Sequence, residues 1–253
     1  KKTAVMMDGK EVIIRTLDVG GDKNIPYLGM EKEDNPFLGF RAVRYCLDRK
    51  EMYKIQLRAL IRASVFGKIK IMIPLVTCVN ELREVKALVE DIKADLDREN
   101  IPYDKNISVG VMIETPAASE IADLLAKEAD FFSIGTNDLT QYTMAVDRGN
   151  SKVAYLYSVY NPAVIRSIKR IISAAANENI IAGMCGEAAA DPLLTPLLIS
   201  FGLKEFSVNA SSILRTRAQI AKWTKAEADK VADEVMKCAT QEEVYEILKR
   251  YQR

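Results

Sequence analysis

A parallel α/β chain of the (β/α)8 barrel type, lacking its first strands, is the fold class that this 253-residue sequence predicts. Two observations lead there. Strand-like and helix-like patterns alternate six times along the chain, which argues for a parallel sheet with crossover helices. Nearly every strand also ends in polar chemistry: Arg15 and Asp18, Glu114, Asn137 and Asp138, Cys185 and Glu187, Asn209. Polar residues at the ends of many successive strands mark the active face of a barrel, whereas a doubly wound sheet concentrates them at one switch point. Six strands cannot close an eight-stranded barrel, so two are expected outside this chain. The opening KKTAVMMDGK has no initiator Met and runs almost at once into a strand, which also reads as part of a longer polypeptide.

Taken in order, Val12 to Asp18 is β-rich and ends in charge, with a Gly20-Gly21-Asp22-Lys23 turn after it. Residues 24 to 36 are irregular. Apolar spacings of three and four then predict one long helix from about Leu38 to Phe66. Ile69 to Val76 is a strand, Glu81 to Asn100 an amphipathic helix stopped by Asn100, and Ser108 to Thr115 the next strand. Pro116 suits the first position of a helix reaching about Glu128. The buried run Phe131 to Ile134 breaks at Gly135, and Asp138 can cap the helix that continues through Met144. A helix over Ile165 to Asn177, a strand over Ile181 to Glu187, a helix over Asp191 to Phe201 and a strand over Glu205 to Asn209 follow. Three closing helices are expected, at Ser211 to Lys222, Lys225 to Met236 and Gln241 to Tyr251, with Thr224 and Thr240 as caps.

Composition excludes several classes. Hydrophobic residues make up 49% and charged residues 28%, enough for a proper core. A net charge of +1 gives no reason to expect nucleic acid or an anionic membrane. No apolar run reaches membrane-spanning length and no signal peptide is visible. The four cysteines lie far apart without metal-ligand spacing, which suits a reducing cytoplasm. The sequence contains no histidine, so a His-based triad, a His metal site and a phosphohistidine within this chain are all ruled out.

The stretch FFSIGTNDLTQYTMAVDRG, Phe131 to Gly149, gathers a carboxylate, an amide, a helix N-terminus and an arginine at one strand end, a set suited to a metal-bound anion. Glu114 and Asp138 end two consecutive strands, and two carboxylates plus ligand oxygens and water suit Mg²⁺. Taken singly, they are a solvated strand-end Glu and a capping Asp. Arg15 and Arg148 are candidate anion holders, because an arginine there is costly to bury unless it pairs. Arg41, on spacing alone, is a solvated helix arginine. Lys23, after two glycines, reads equally as a phosphate contact and as a turn lysine. Cys185 lies in Gly183-Met184-Cys185-Gly186-Glu187. It is either an inert strand thiol or, at a barrel strand's end, a proton donor to a carbanion.

With these residues assembled, the chain resembles the phosphoenolpyruvate-binding C-terminal domain of Enzyme I of the bacterial sugar phosphotransferase system. The resemblance is carried by RTLDVGGDK, NPFLGFRAVR, IMIPLV, GVMIETPAA, FFSIGTNDLTQYTMAVDRGN, GMCGEAAADP and EFSVNASSI. It implies one phosphoenolpyruvate-binding barrel domain of the phosphoenolpyruvate/pyruvate type over residues 1–253. It implies Mg²⁺ on Glu114 and Asp138, and phosphoenolpyruvate held by Arg15, Arg41, Asn137, Asp138 and Arg148 with Lys23 nearby. It further implies transfer of the phosphoryl group to a histidine on a separate N-terminal domain, and through it to the phosphocarrier protein HPr. Cys185 would protonate the enolate to pyruvate, and a cytoplasmic homodimer is the family expectation. The related phosphoenolpyruvate synthase and pyruvate phosphate dikinase share the GTND core but differ after it. Without its histidine domain the chain would be a ligand-binding and dimerisation module only. A substrate-binding arginine of the family falls upstream of Lys1. Ala188-Ala189-Ala190 and the Leu156 to Asn161 loop also depart from the family pattern, which bears on fine geometry rather than on the metal or the arginines.

Overall fold

A computed structural model of the chain describes residues 1–20 and 29–253. It divides into two compact units, Lys1–Met112 and Ile113–Arg253. The first unit begins with a short helix α1 (Lys2–Met6) where the sequence predicts none, followed by strand β1 (Val12–Arg15). Helices α2 (Val43–Asp48) and α3 (Lys50–Ala63), strand β2 (Ile69–Ile73), helix α4 (Val79–Arg98) and strand β3 (Ser108–Ile113) complete it, the last residue of β3 opening the second unit. β1 pairs with β2 and β2 with β3, both in parallel. β2 and β3 are apolar and buried almost throughout, as parallel strands covered on both faces must be. Tyr53, Leu57 and Ile61 of α3 and Leu82 and Leu96 of α4 are fully buried in this unit's core.

The long helix expected from Leu38 to Phe66 is four pieces. Pro36–Leu38 and Ser64–Phe66 are 3-10 turns, and α2 and α3 part at Arg49. The cause of the late start is local: the Glu33 carboxylate accepts the Phe40 N–H at 2.9 and 3.1 Å, and Ala42 takes a positive φ of 53°. Asn100 stops α4 as expected, at φ 54°.

The second unit carries α5 (Pro116–Glu120) and α6 (Ala122–Ala126), which divide the expected single helix at Ile121. Then come β4 (Phe131–Gly135), α7 (Thr136–Met144), α8 (Pro162–Asn177), β5 (Ile181–Cys185), α9 (Thr195–Phe201) and β6 (Glu205–Phe206). Helices α10 (Ile213–Ile220), α11 (Lys225–Val235) and α12 (Gln241–Arg250) close the chain. β4 pairs with β5 and β5 with β6, again in parallel. Within each unit, strands adjacent in sequence are adjacent in the sheet, the order of a barrel rather than of a doubly wound sheet. The class is therefore α/β with repeating parallel β/α steps, and six strands are present among the described residues.

All five residues of β4 are buried. Phe132 alone contributes about 1.5–3 kcal/mol by burial. Thr224 and Thr240 form capping boxes with Glu227 and Glu243, as expected. Asp138 does not cap α7. The helix starts directly at Thr136 on Gly135, and Asp138 lies inside its first turn. No helix among the described residues is long and apolar enough to cross a membrane.

Candidate functional site

In the first unit, β1 ends at Arg15, and Asp18 lies three residues on. The Asp18 carboxylate accepts from the Arg41 Nη2 at 2.8 Å and stands 3.3 Å from the Arg15 Nη1. The Arg41 and Asp18 side chains are each 8% exposed, whereas the Arg15 side chain is 47% exposed. Arg41 therefore corrects the expectation of a solvated helix arginine. It precedes α2 rather than lying in it, its residue exposure is only 6%, and a buried guanidinium requires the carboxylate it has. Both guanidiniums face the one Asp18 carboxylate. Beneath it, burial first and the Asp18 charge second push the Cys46 thiol up to about 12, which leaves it an inert packing group. Lys23 lies outside the described residues.

In the second unit, Glu114 follows the last residue of β3 and is 3% exposed. Thr115 after it caps α5, its Oγ1 accepting the Ala118 N–H at 3.1 Å, with Pro116 at the first helical position. Asp138 is 8% exposed in the first turn of α7, where a carboxylate is favoured by the helix dipole. The Arg148 Nη1 stands 3.7 Å from the Asp138 Oδ1. Gln141, one turn along α7, accepts the Arg148 N–H at 3.2 Å and so fixes the loop that presents the guanidinium. Tyr157 closes over the same turn, its hydroxyl donating to the Asn137 carbonyl at 3.2 Å. Burial raises the pKa of this phenol, opposed by the Arg148 guanidinium beside it.

The end of β5 is laced to the start of α7. Thr136 Oγ1 donates to the Cys185 carbonyl at 3.0 Å, and the Cys185 thiol donates to the Ile134 carbonyl at 3.5 Å. Gly186 takes φ 88°, and a Cβ there would fall 2.4 Å from Thr136 Oγ1. Only glycine satisfies both demands. The turn it makes brings the Glu187 N–H to the Asn137 Oδ1 at 3.4 Å. With Oδ1 engaged, the Asn137 amide offers its NH₂ to a ligand.

The second unit thus brings Asp138, Asn137, Arg148 and Cys185 around the first turn of α7 and places Glu114 at another strand end. The first unit brings Arg15 and Arg41 onto Asp18. Sequence reasoning missed Tyr157, Gln141 and Thr136, and missed Asp18 as the carboxylate that joins two arginines. Only Asp18 carried a sequence signal, as a charge at a strand's end. Two acidic oxygen donors fit Mg²⁺, a hard cation that takes one or two carboxylates and completes its octahedron with phosphate oxygens and water. Among the described residues no group of three or more such side chains forms a ready-made cage, and Mg²⁺ does not require one.

Residues 1–225 match the family described as the PEP-binding domain of PEP-utilising enzymes, PEP being phosphoenolpyruvate. The chain belongs to this family. Its relatives include proteins named phosphoenolpyruvate-protein phosphotransferase. That of Geobacillus stearothermophilus is 52% identical over 250 residues, covering 99% of this chain and 43% of the relative. That of Listeria monocytogenes is 51% identical over 245 residues, covering 97% of this chain and 43% of the relative. This PEP-binding-domain chain therefore spans less than half the length of the curated relatives it matches. Its fold is also similar to a crystal structure of a citrate lyase from Burkholderia xenovorans LB400, with a TM-score of 0.51 at 16% identity. That match covers 78% of this chain and 68% of the other, and at such identity it speaks to fold alone.

Proposed function

We infer that this chain is the phosphoenolpyruvate site of a cytoplasmic phosphoenolpyruvate-protein phosphotransferase, and that it serves the first step of sugar phosphotransferase uptake. The observation that carries the reading is the first turn of α7. There a buried carboxylate, an oriented amide, a guanidinium and a strand-end thiol converge. That set matches an enol phosphate, which needs its charge neutralised on one side and a proton at carbon on the other. Relatives at about half identity carry the corresponding name.

Glu114 and Asp138 would hold Mg²⁺, which when bound neutralises charge on the transferring phosphoryl group. Arg148 holds the anion as a charge-assisted donor and the Asn137 NH₂ donates to the same ligand, while Arg15 and Arg41 are assigned to phosphoenolpyruvate by the resemblance. Lys23 belongs to this anion-binding set. The P–O bond to the enol oxygen breaks as a P–N bond forms to a histidine on a separate domain of the longer protein. The Cys185 thiol then gives its proton to C3 of the enolate, leaving a thiolate that water reprotonates, and pyruvate departs. Positioning and electrostatics supply most of such a catalysis. From the phosphohistidine the group passes to the phosphocarrier protein HPr. Self-association into a homodimer belongs to the same reading.

The histidine count of zero favours a second reading for the isolated chain, that of a ligand-binding module, because it contains no acceptor of its own. One experiment separates the two. The chain, phosphoenolpyruvate, Mg²⁺ and a separately produced histidine domain are mixed. Phosphohistidine and pyruvate in equal amounts are expected, and binding without either product leaves only the module.

A further inference from the structure

The lacing between β5 and α7 ties the Thr136 hydroxyl to the backbone of Cys185. Thr136 is almost completely buried, at 2% exposure, and its hydroxyl goes to the Cys185 carbonyl rather than to a cap of its own helix. Gly186 has given up a side chain to let that hydroxyl approach. The thiol on the other side of the same residue is tied to the Ile134 carbonyl, the partner strand's residue just before the junction. Cys185 is thus held at its backbone by Thr136 and at its sulfur by Ile134. The next peptide, through the Glu187 N–H, sets which end of the Asn137 amide faces a ligand.

We propose that Thr136 is a positioning residue, and that its hydroxyl aligns the Cys185 thiol with the carbon to be protonated while the Gly186 turn orients the Asn137 amide toward the anion. This rests on the proposed function, since it assigns Thr136 a part in the proton step of that same site. Run backward, the step needs no histidine domain. The Cys185 thiolate takes a proton from the methyl group of pyruvate, the C–H electron pair enters the enolate, and the S–H proton exchanges with solvent. In D₂O an S–D group then returns deuterium to carbon. Binding of pyruvate uses the anion holders and the metal, whereas exchange also requires the sulfur to stand at the right place. A displacement of about 1 Å can cost on the order of a hundredfold in rate.

The test is deuterium incorporation into the pyruvate methyl group, followed by NMR in D₂O with Mg²⁺, on this chain and its variants. Thr136→Val is expected to bind pyruvate within about threefold of the parent yet exchange at least tenfold more slowly, and Thr136→Ser, which keeps the hydroxyl, should restore exchange. A loss caused by general loosening would weaken binding alongside exchange and would overturn the assignment. So would a Thr136→Val chain that exchanges like the parent. If the valine variant does not fold, Thr136→Ala carries the same comparison. An unmodified chain that binds pyruvate but shows no exchange refutes the role of Cys185 itself, an outcome distinct from failure at Thr136.

Discussion

Asp18 shows how one side chain changes the meaning of others around it. From spacing, Arg41 reads as a helix-surface arginine, and nothing in the nearby sequence names its partner, because Asp18 lies 23 residues earlier. Glu114, Asp138 and Cys185 were legible for the opposite reason: their chemistry stands at strand ends, which sequence patterns locate. Gly186 was visible in the sequence only as a neighbour of Cys185. The Thr136 hydroxyl leaves room there for no more than a hydrogen, a demand made by a residue distant in sequence. Cys185 supports a residue-level prediction. Cys185→Ala removes the proton donor but none of the charged anion holders, so phosphoenolpyruvate affinity should stay within about threefold while pyruvate formation falls at least a hundredfold. Parallel measurement of calorimetric affinity and of single-turnover pyruvate release with the histidine domain present checks it, and unchanged release removes Cys185 from the chemistry.

Among the elements, those that begin with a cap were the most readable. Thr224 and Thr240 are followed three residues later by Glu227 and Glu243, and that spacing alone foretells both boxes. The breaks at Arg49 and Ile121 escaped because helical periodicity continues across them, and the Glu33 clamp on Phe40 is a local side-chain bond that periodicity does not register. Thr115→Ala should cost about 1 kcal/mol and lower the melting temperature by about 2–4 °C, because the buried Thr115 Oγ1 caps α5. Differential scanning calorimetry checks this. Glu227 makes a pH prediction. Its carboxyl is held down at about 2, first by Arg253 and then by the Thr224 N–H and hydroxyl. A depressed folded pKa gives stability that is present above the unfolded value of about 4.5 and lost as pH falls toward 2. Glu227→Gln should therefore lower the melting temperature at pH 7 and make little difference near pH 2. An equal deficit at both values would show that the charge is not what matters.

For the molecule as a whole, the order of chemistry along the chain was readable from the strand ends. Parallel β/α repeats and polar strand ends describe a barrel-type domain, and a net charge of +1 gives no sign of a polyanion partner. The absence of histidine obliges any phosphoryl acceptor of that type to come from elsewhere, in keeping with relatives more than twice as long. The split into Lys1–Met112 and Ile113–Arg253 carries no turn or linker signal in the sequence, since it falls inside the apolar strand β3. What all of this leans on is a divalent cation shared by two buried acids and an enol phosphate. The most direct measurement is calorimetric titration of phosphoenolpyruvate into the chain with Mg²⁺ and again with excess EDTA, repeated for Glu114→Gln and Asp138→Asn. Tight binding that vanishes with chelation and weakens at least about tenfold, near 1.4 kcal/mol, in each variant is predicted. Affinity that is indifferent to EDTA, or undiminished in either variant, would contradict the account.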